Sequence, residues 1–279
     1  MRARPADDRS VSDRIVIVGY DDQPHASDAL ALGAMLARSA NGRLLITHAH
    51  RVGETAAFGR LLHEASRHVP YGVRVETRAV AHDTAATGLA TLADDENAEV
   101  VVVGSSHRGR LGRALLGSVG EQLLRQSPCA LAVAPLNFAE HASAVIETIG
   151  VAFDGDAESL QALDRALTIA GAVGARLRLM AVAEQPERRE VLRAALEQAA
   201  ASLPPDVAAD TELLSGSPAP ALSERCQEGV DLLVTGSHGY GPVRRALLGS
   251  VSTQLMRSCP CPLYVVPRGA AEPPASAAA

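Results

Sequence analysis

The segment Val101-Val102-Val103-Gly104-Ser105-Ser106 recurs as Leu233-Val234-Thr235-Gly236-Ser237-His238, an offset of 236 − 104 = 132. The same offset carries Arg113-Ala114-Leu115-Leu116-Gly117-Ser118-Val119 onto Arg245-Ala246-Leu247-Leu248-Gly249-Ser250-Val251, and Pro128-Cys129 onto Pro260-Cys261. Upstream, Ile15-Val16-Ile17-Val18-Gly19-Tyr20-Asp21 matches Thr148-Ile149-Gly150-Val151-Ala152-Phe153-Asp154 at 154 − 21 = 133. One indel over such a stretch is ordinary loop drift. The period far exceeds a solenoid repeat, so the chain reads as two copies of a whole domain. They are expected over residues 13–137 and 146–268, with a linker at 138–145 that shows no clear period.

Within each copy, short β-branched runs alternate with longer Ala/Leu-rich segments of helical period, the pattern of a parallel sheet covered by helices. Expected strands are Arg14–Val18, Leu44–His48, Val73–Ala79, Glu99–Val103 and Leu131–Ala134, then Thr148–Ala152, Arg176–Ala181, Ala208–Leu213, Leu232–Thr235 and Leu263–Val266. Helices such as His25–Ser39 and Ser159–Ala172 lie between them. The fold class is therefore α/β: two Rossmann-like, doubly wound domains, each a five-stranded parallel sheet of the common order 3-2-1-4-5. Only 3% of residues are aromatic and none is Trp, so the core must be built from Ala, Val, Leu and Ile. The ends, 1–12 and 269–279, carry no pattern that packs and are expected to be disordered.

The most informative stretch is Gly236-Ser237-His238-Gly239, nine residues, then Gly249-Ser250-Val251-Ser252, between a buried strand and a helix start. Glycine permits positive φ and close backbone approach, free N–H groups at the helix start point toward an anion, and Ser250 and Ser252 add hydroxyls. The stretch lacks the Lys of a Walker A loop, and its glycines straddle too long an insert for a dinucleotide fingerprint. Taken alone, they serve equally to turn the chain. Order 3-2-1-4-5 places Asp154, after the first strand, beside Gly236 at the topological switch point where α/β ligands bind. Asp154 then reads either as a group for ribose hydroxyls or as the N-cap of the following helix.

These residues give both halves a resemblance to universal stress protein domains, whose nucleotide-binding branch carries G-x-x-G, nine residues, G-[S/T]. The second half fits at Gly236, Gly239, Gly249 and Ser250. The resemblance implies ATP with a divalent ion such as Mg2+, Val182 and Thr235 as pocket walls, and dimerisation through the last strands. The corresponding set in the first half is Asp21, Ala49, Val103, Gly104, Gly117, Ser118 and Val119, but His107 stands where the second glycine belongs, although Gly109 lies nearby. The first site is expected to be weaker or altered. His107 reads as an exposed loop residue or as a phosphate donor.

Arg108, Arg110, Arg113, Arg244 and Arg245 flank the two loops, as a solvated surface or as a polyphosphate clamp. Cys259-Pro260-Cys261 lacks a partner pair or a histidine for zinc, and Cys129 and Cys261 read as small apolar residues at the entrance to the last strand. No metal site is assigned to protein side chains alone. Four cysteines without a signal peptide make no disulfide framework and suit a reducing cytoplasm, and no apolar run approaches a membrane span. A net charge of −6 with so few aromatics excludes a general nucleic-acid binder. No nucleophile–base pair or G-x-S-x-G element supports an acyl-transfer enzyme. The expected function is a cytoplasmic, nucleotide-responsive binding protein with an unnamed protein partner. An intrachain pseudo-dimer and a homodimer are expected, and the alternatives are a nucleotide-independent interaction module or a slow ATPase.

Overall fold

Apolar side chains on alternate faces of a strand need cover on both sides, and the first strand shows how this chain supplies it. In β1 (Ile15–Gly19), Val16 and Val18 enter one buried cluster while Ile15 and Ile17 enter another on the opposite face. The computed structural model describes residues 14–54, 58–106, 115–116, 118–141, 145–237 and 249–267. The two terminal tails, His107, Gly109, Gly117, Gly239 and the five loop arginines lie outside the described residues.

The first half runs β1, α1 (Pro24–Ser39), β2 (Arg43–His50), α2 (Phe58–Arg67), β3 (Arg74–Ala81), α3 (Ala85–Asp95), β4 (Val100–Ser106), β5 (Leu115–Leu116), α4 (Ser118–Gln126) and β6 (Ala130–Ala134). A short helix, α5 (Phe138–His141), leads into the second half. There follow β7 (Thr148–Ala152), α6 (Ala157–Val173), β8 (Arg176–Ala183), α7 (Arg189–Ala201), β9 (Ala209–Ser215), α8 (Pro218–Cys226), β10 (Leu232–Gly236), α9 (Ser250–Ser258) and β11 (Leu263–Val266). The expected strands are all present, with ends displaced by at most three residues, and β5 is a two-residue addition paired antiparallel to β4.

Each half has the order 3-2-1-4-5, as β3-β2-β1-β4-β6 and β9-β8-β7-β10-β11, with every pairing inside these paths parallel. The halves then join: β6 and β11 pair antiparallel, Leu131 opposite Val265, Ala132 opposite Tyr264 and Val133 opposite Leu263. One sheet thus runs through the chain. Helices α1, α2, α6 and α7 contribute to the cluster on one face, and α3, α4, α8 and α9 to the other. The stretch expected to be a patternless linker is held by Asp28, 4% exposed, whose carboxylate accepts from the N–H groups of Asn137 (3.1 Å) and Ala139 (2.9 Å). Helix α5 starts there because a buried acid satisfies N–H groups that a helix start leaves without an internal acceptor. Among the described residues no helix is long and apolar enough to cross a membrane.

Candidate functional site

The turn after β7 is built by short polar links. The Asp154 Oδ1 accepts from the Asp156 N–H at 3.1 Å, and Asp156 Oδ1 accepts from the Ser159 N–H at 2.7 Å. The Ser159 hydroxyl accepts from the Gly155 N–H (3.1 Å) and donates to the Asp156 carbonyl (3.0 Å), with Gly155 at φ +86°. This corrects one of the two readings of Asp154: the N-cap of α6 is Asp156, and Asp154 instead braces the turn that precedes it. In the first half Asp21 repeats the brace, accepting from the Gln23 N–H at 3.1 Å, and its other oxygen lies 3.7 Å from His25 Nε2.

The first glycine of the motif has a packing reason. A Cβ on Gly236 would sit 2.9 Å from the Glu158 Cβ and 3.0 Å from its carbonyl oxygen, and one on Gly104 would sit 2.1 Å from the His25 carbonyl oxygen. Both glycines let the first turn of a helix lie against the end of a strand, so close approach within the fold suffices to require them. Gly249 has φ −60° and ψ 142°, backbone that any residue adopts. As N-cap of α9 it makes no side-chain cap bond, which leaves the first N–H groups of the helix to face whatever lies in front.

A cavity of about 300 Å³ lies in front of them, at the carboxyl ends of β7, β8 and β10. It brings together Asp154, Val182, Thr235, Gly236, Gly249, Ser250, Val251 and Ser252, all anticipated from the sequence. It also holds carboxylates that the sequence reading missed, Asp156, Glu158 and Glu184, together with Arg188. The available signal was the run of acids Asp154, Asp156 and Glu158 between β7 and the first turn of α6, where carboxylates favour a helix start. The first half has a corresponding cavity of about 660 Å³ that brings together Asp21, Ala49, Val103, Gly104, Ser118 and Val119. Its lining differs in charge: Asp21 is the one carboxylate among the described lining residues, and His25 and His48 join it. His25 stands where the second half has Glu158, since 158 − 25 = 133.

The C-x-C reading also changes. Cys129 and Cys261 are buried, but Cys226, at the end of α8, brings a third thiol to Cys259 and Cys261. Spacing along the chain concealed it, because Cys226 precedes Cys259 by 33 positions.

The fold and the paired clefts define a tandem α/β protein of doubly wound domains, each with its crevice at the topological switch point. The chain belongs to the universal stress protein family, whose model matches residues 14–135 and 146–267. A universal stress protein of Mycobacterium tuberculosis is 25% identical over 231 residues, covering 76% of this chain and 79% of the relative. Another from the same species is 31% identical over 194 residues, covering 64% and 65%. Among solved structures, a universal stress protein from Archaeoglobus fulgidus superposes with a TM-score of 0.69 at 19% identity, covering 93% of this chain and 100% of that one.

Proposed function

We propose that this chain is an ATP-binding universal stress protein, a cytoplasmic signalling module in which nucleotide occupancy governs docking of a protein partner. The second-half cavity is the principal site, and homodimerisation belongs to the same reading. The observation that carries it is that one cavity joins an uncapped helix start to a group of carboxylates. The start of α9, with Gly249 and the Ser250 hydroxyl, favours an anion. Asp154, Asp156, Glu158 and Glu184 favour hydrogen-bond donors or a cation. A nucleoside polyphosphate supplies both: phosphates for the helix start, and ribose hydroxyls and an exocyclic amine for carboxylates. The oxygen-only donor set of Asp154 and Glu158 also fits a hard divalent ion, which would neutralise phosphate charge when bound. Apolar walls from Met180, Val182 and Leu222 suit a base, and the volume lies at the lower end of the roughly 300–1,000 Å³ usual for ligand pockets.

The test is direct. Ligand released by heating the purified protein, identified by chromatography and mass spectrometry, is expected to contain adenine nucleotide, and calorimetry is expected to show ATP binding. Absence of nucleotide from the preparation and of binding at millimolar ATP would instead establish a nucleotide-independent interaction module. Phosphate release above that of a Gly249 variant would add a slow ATPase activity.

A further inference from the structure

Three cysteines meet at the end of the second half remote from the cavity. Cys226 closes α8, Cys259 directly follows α9, and Cys261 stands just before β11. Their sulfurs all lie within 4.8 Å of one another, with Cys259 and Cys261 Sγ 3.6 Å apart. A metal holding three sulfurs at about 2.3 Å needs them roughly 3.8–4.0 Å apart, so only small rotamer adjustments separate this arrangement from a coordination site. Cys226 and Cys261 are buried and Cys259 is partly exposed, which gives an ion a route in through Cys259.

The trio holds further polar links of its own: the Cys261 thiol donates to the Pro262 carbonyl at 3.5 Å, while its sulfur stays in contact with that of Cys259. The first half lacks the arrangement, because Ser127 stands where the second half has Cys259.

We infer that Cys226, Cys259 and Cys261 form a three-sulfur site for a soft monovalent cation of the Cu(I) class. The donor set selects the ion. Thiolate-only sites favour Cu(I), Zn(II) or iron–sulfur clusters. Structural zinc takes four ligands and iron–sulfur clusters usually take four cysteines, whereas among the described residues this group offers three sulfurs and no imidazole or carboxylate. The ligating form is the thiolate, so uptake of Cu(I) displaces thiol protons and affinity falls as the solution is acidified.

The experiment is an anaerobic titration of the reduced full-length protein with Cu(I) against a chromophoric Cu(I) chelator. Wild type is expected to retain one Cu(I) per chain. Cys226→Ser, Cys259→Ser and Cys261→Ser are each expected to lose at least tenfold in affinity, while Cys129→Ser is expected to behave as wild type. Thermal melts of the apo variants confirm that each is folded, and X-ray absorption on loaded protein is expected to show sulfur-only, three-coordinate copper. Equal retention by the Cys226/Cys259/Cys261 triple serine variant would overturn the proposal, as would equal loss in Cys129→Ser. Displacement of Cu(I) by equimolar Zn(II) would overturn the choice of ion. If the reduced protein takes up no copper but loses two titratable thiols to mild peroxide, the trio is a thiol–disulfide pair with a neighbour and the site is refuted.

Discussion

Arg165 on α6 donates to Glu99 at 2.8 Å, joining the second half of the chain to the residue that introduces β4 in the first. Arg14 approaches the other Glu99 oxygen at 3.6 Å, and Tyr264 of β11 is buried beside them, with its hydroxyl pushed up by burial. The antiparallel β6–β11 seam is therefore backed by a cross-half ion pair on one face of the sheet. On the other face, Arg257 of α9 meets Glu121 of α4 at 2.9 Å. The pseudo-dimer is held by backbone pairing, apolar packing and charge together.

Glu99→Ala leaves Arg165 and Arg14 facing each other with the shared acid removed. Both partners of the Arg165–Glu99 pair are 13% exposed, so the loss is expected to be about 1–3 kcal/mol, less than the ~3–5 found on breaking a fully buried pair. Glu121→Ala at the exposed partner bridge is expected to cost less than about 1 kcal/mol. Urea unfolding of the two variants side by side measures this difference.

Asp154 and Asp156 separate binding from folding. Asp154→Asn keeps an oxygen for the Asp156 N–H but removes charge from the cavity, and is expected to weaken ATP binding about tenfold with an unchanged melt. Asp156→Ala removes the cap of α6 and is expected to cost ~1 kcal/mol of stability. Calorimetry with ATP and thermal melting of both variants give the comparison.

Gly104→Ala and Gly236→Ala are expected to destabilise unequally. At Gly104 the added carbon meets a backbone oxygen at 2.1 Å, so the start of α1 must move. At Gly236 the nearest atoms lie at 2.9 and 3.0 Å and smaller shifts suffice. Overpacking of this kind costs typically ~1–3 kcal/mol, with Gly104→Ala expected at or above the upper end and Gly236→Ala near the lower. Chemical denaturation of each variant checks the order.

The repeat made the fold legible: the offset of Gly104 and Gly236 defined two domains, and near-continuous runs such as Ile15-Val16-Ile17-Val18 defined buried parallel strands. Gly236, Gly249 and Ser250 were legible from their spacing, whereas Val182 and Thr235 were expected as cavity walls only through the family resemblance. Glu184 and Arg188 were not, since they come from the turn after β8, whose course depends on α7 packing rather than on a local pattern. Cys226 was hidden for the same kind of reason: tertiary packing of α8 against α9, not sequence distance, brings it to Cys259. The helix at Phe138–His141 depends on Asp28, more than a hundred residues away.

Glu96 makes acid sensitivity local to the outer strands of the first half. The hydrogen bond from Arg78 holds its carboxyl below the usual glutamate range, with Arg43 adding a second link at 3.2 Å. A depressed carboxylate contributes stability that is complete above its unfolded pKa of about 4.3 and disappears as the pH falls through the lower folded value. Wild type is therefore expected to lose stability below about pH 4.3 more steeply than Glu96→Gln. Urea midpoints across an acid pH series are expected to converge at the acid end.

The two cavities are expected to differ in their need for a divalent cation. The second places Asp154, Asp156, Glu158 and Glu184 in the cavity lining, an arrangement that repels phosphate unless a cation intervenes. The first offers Asp21 alone among its described lining carboxylates, with His25 3.7 Å from it. Asp21→Asn leaves the second site to dominate, and its ATP affinity is expected to fall about tenfold or more when Mg2+ is removed with a chelator. Asp154→Asn weakens the second site and exposes the first, where the same treatment is expected to change affinity less than threefold. Calorimetry of the two variants with and without Mg2+ decides the matter. Equal dependence in both would show that the metal acts on the nucleotide alone and that the carboxylates of the second cavity serve only the donors of its ribose and base.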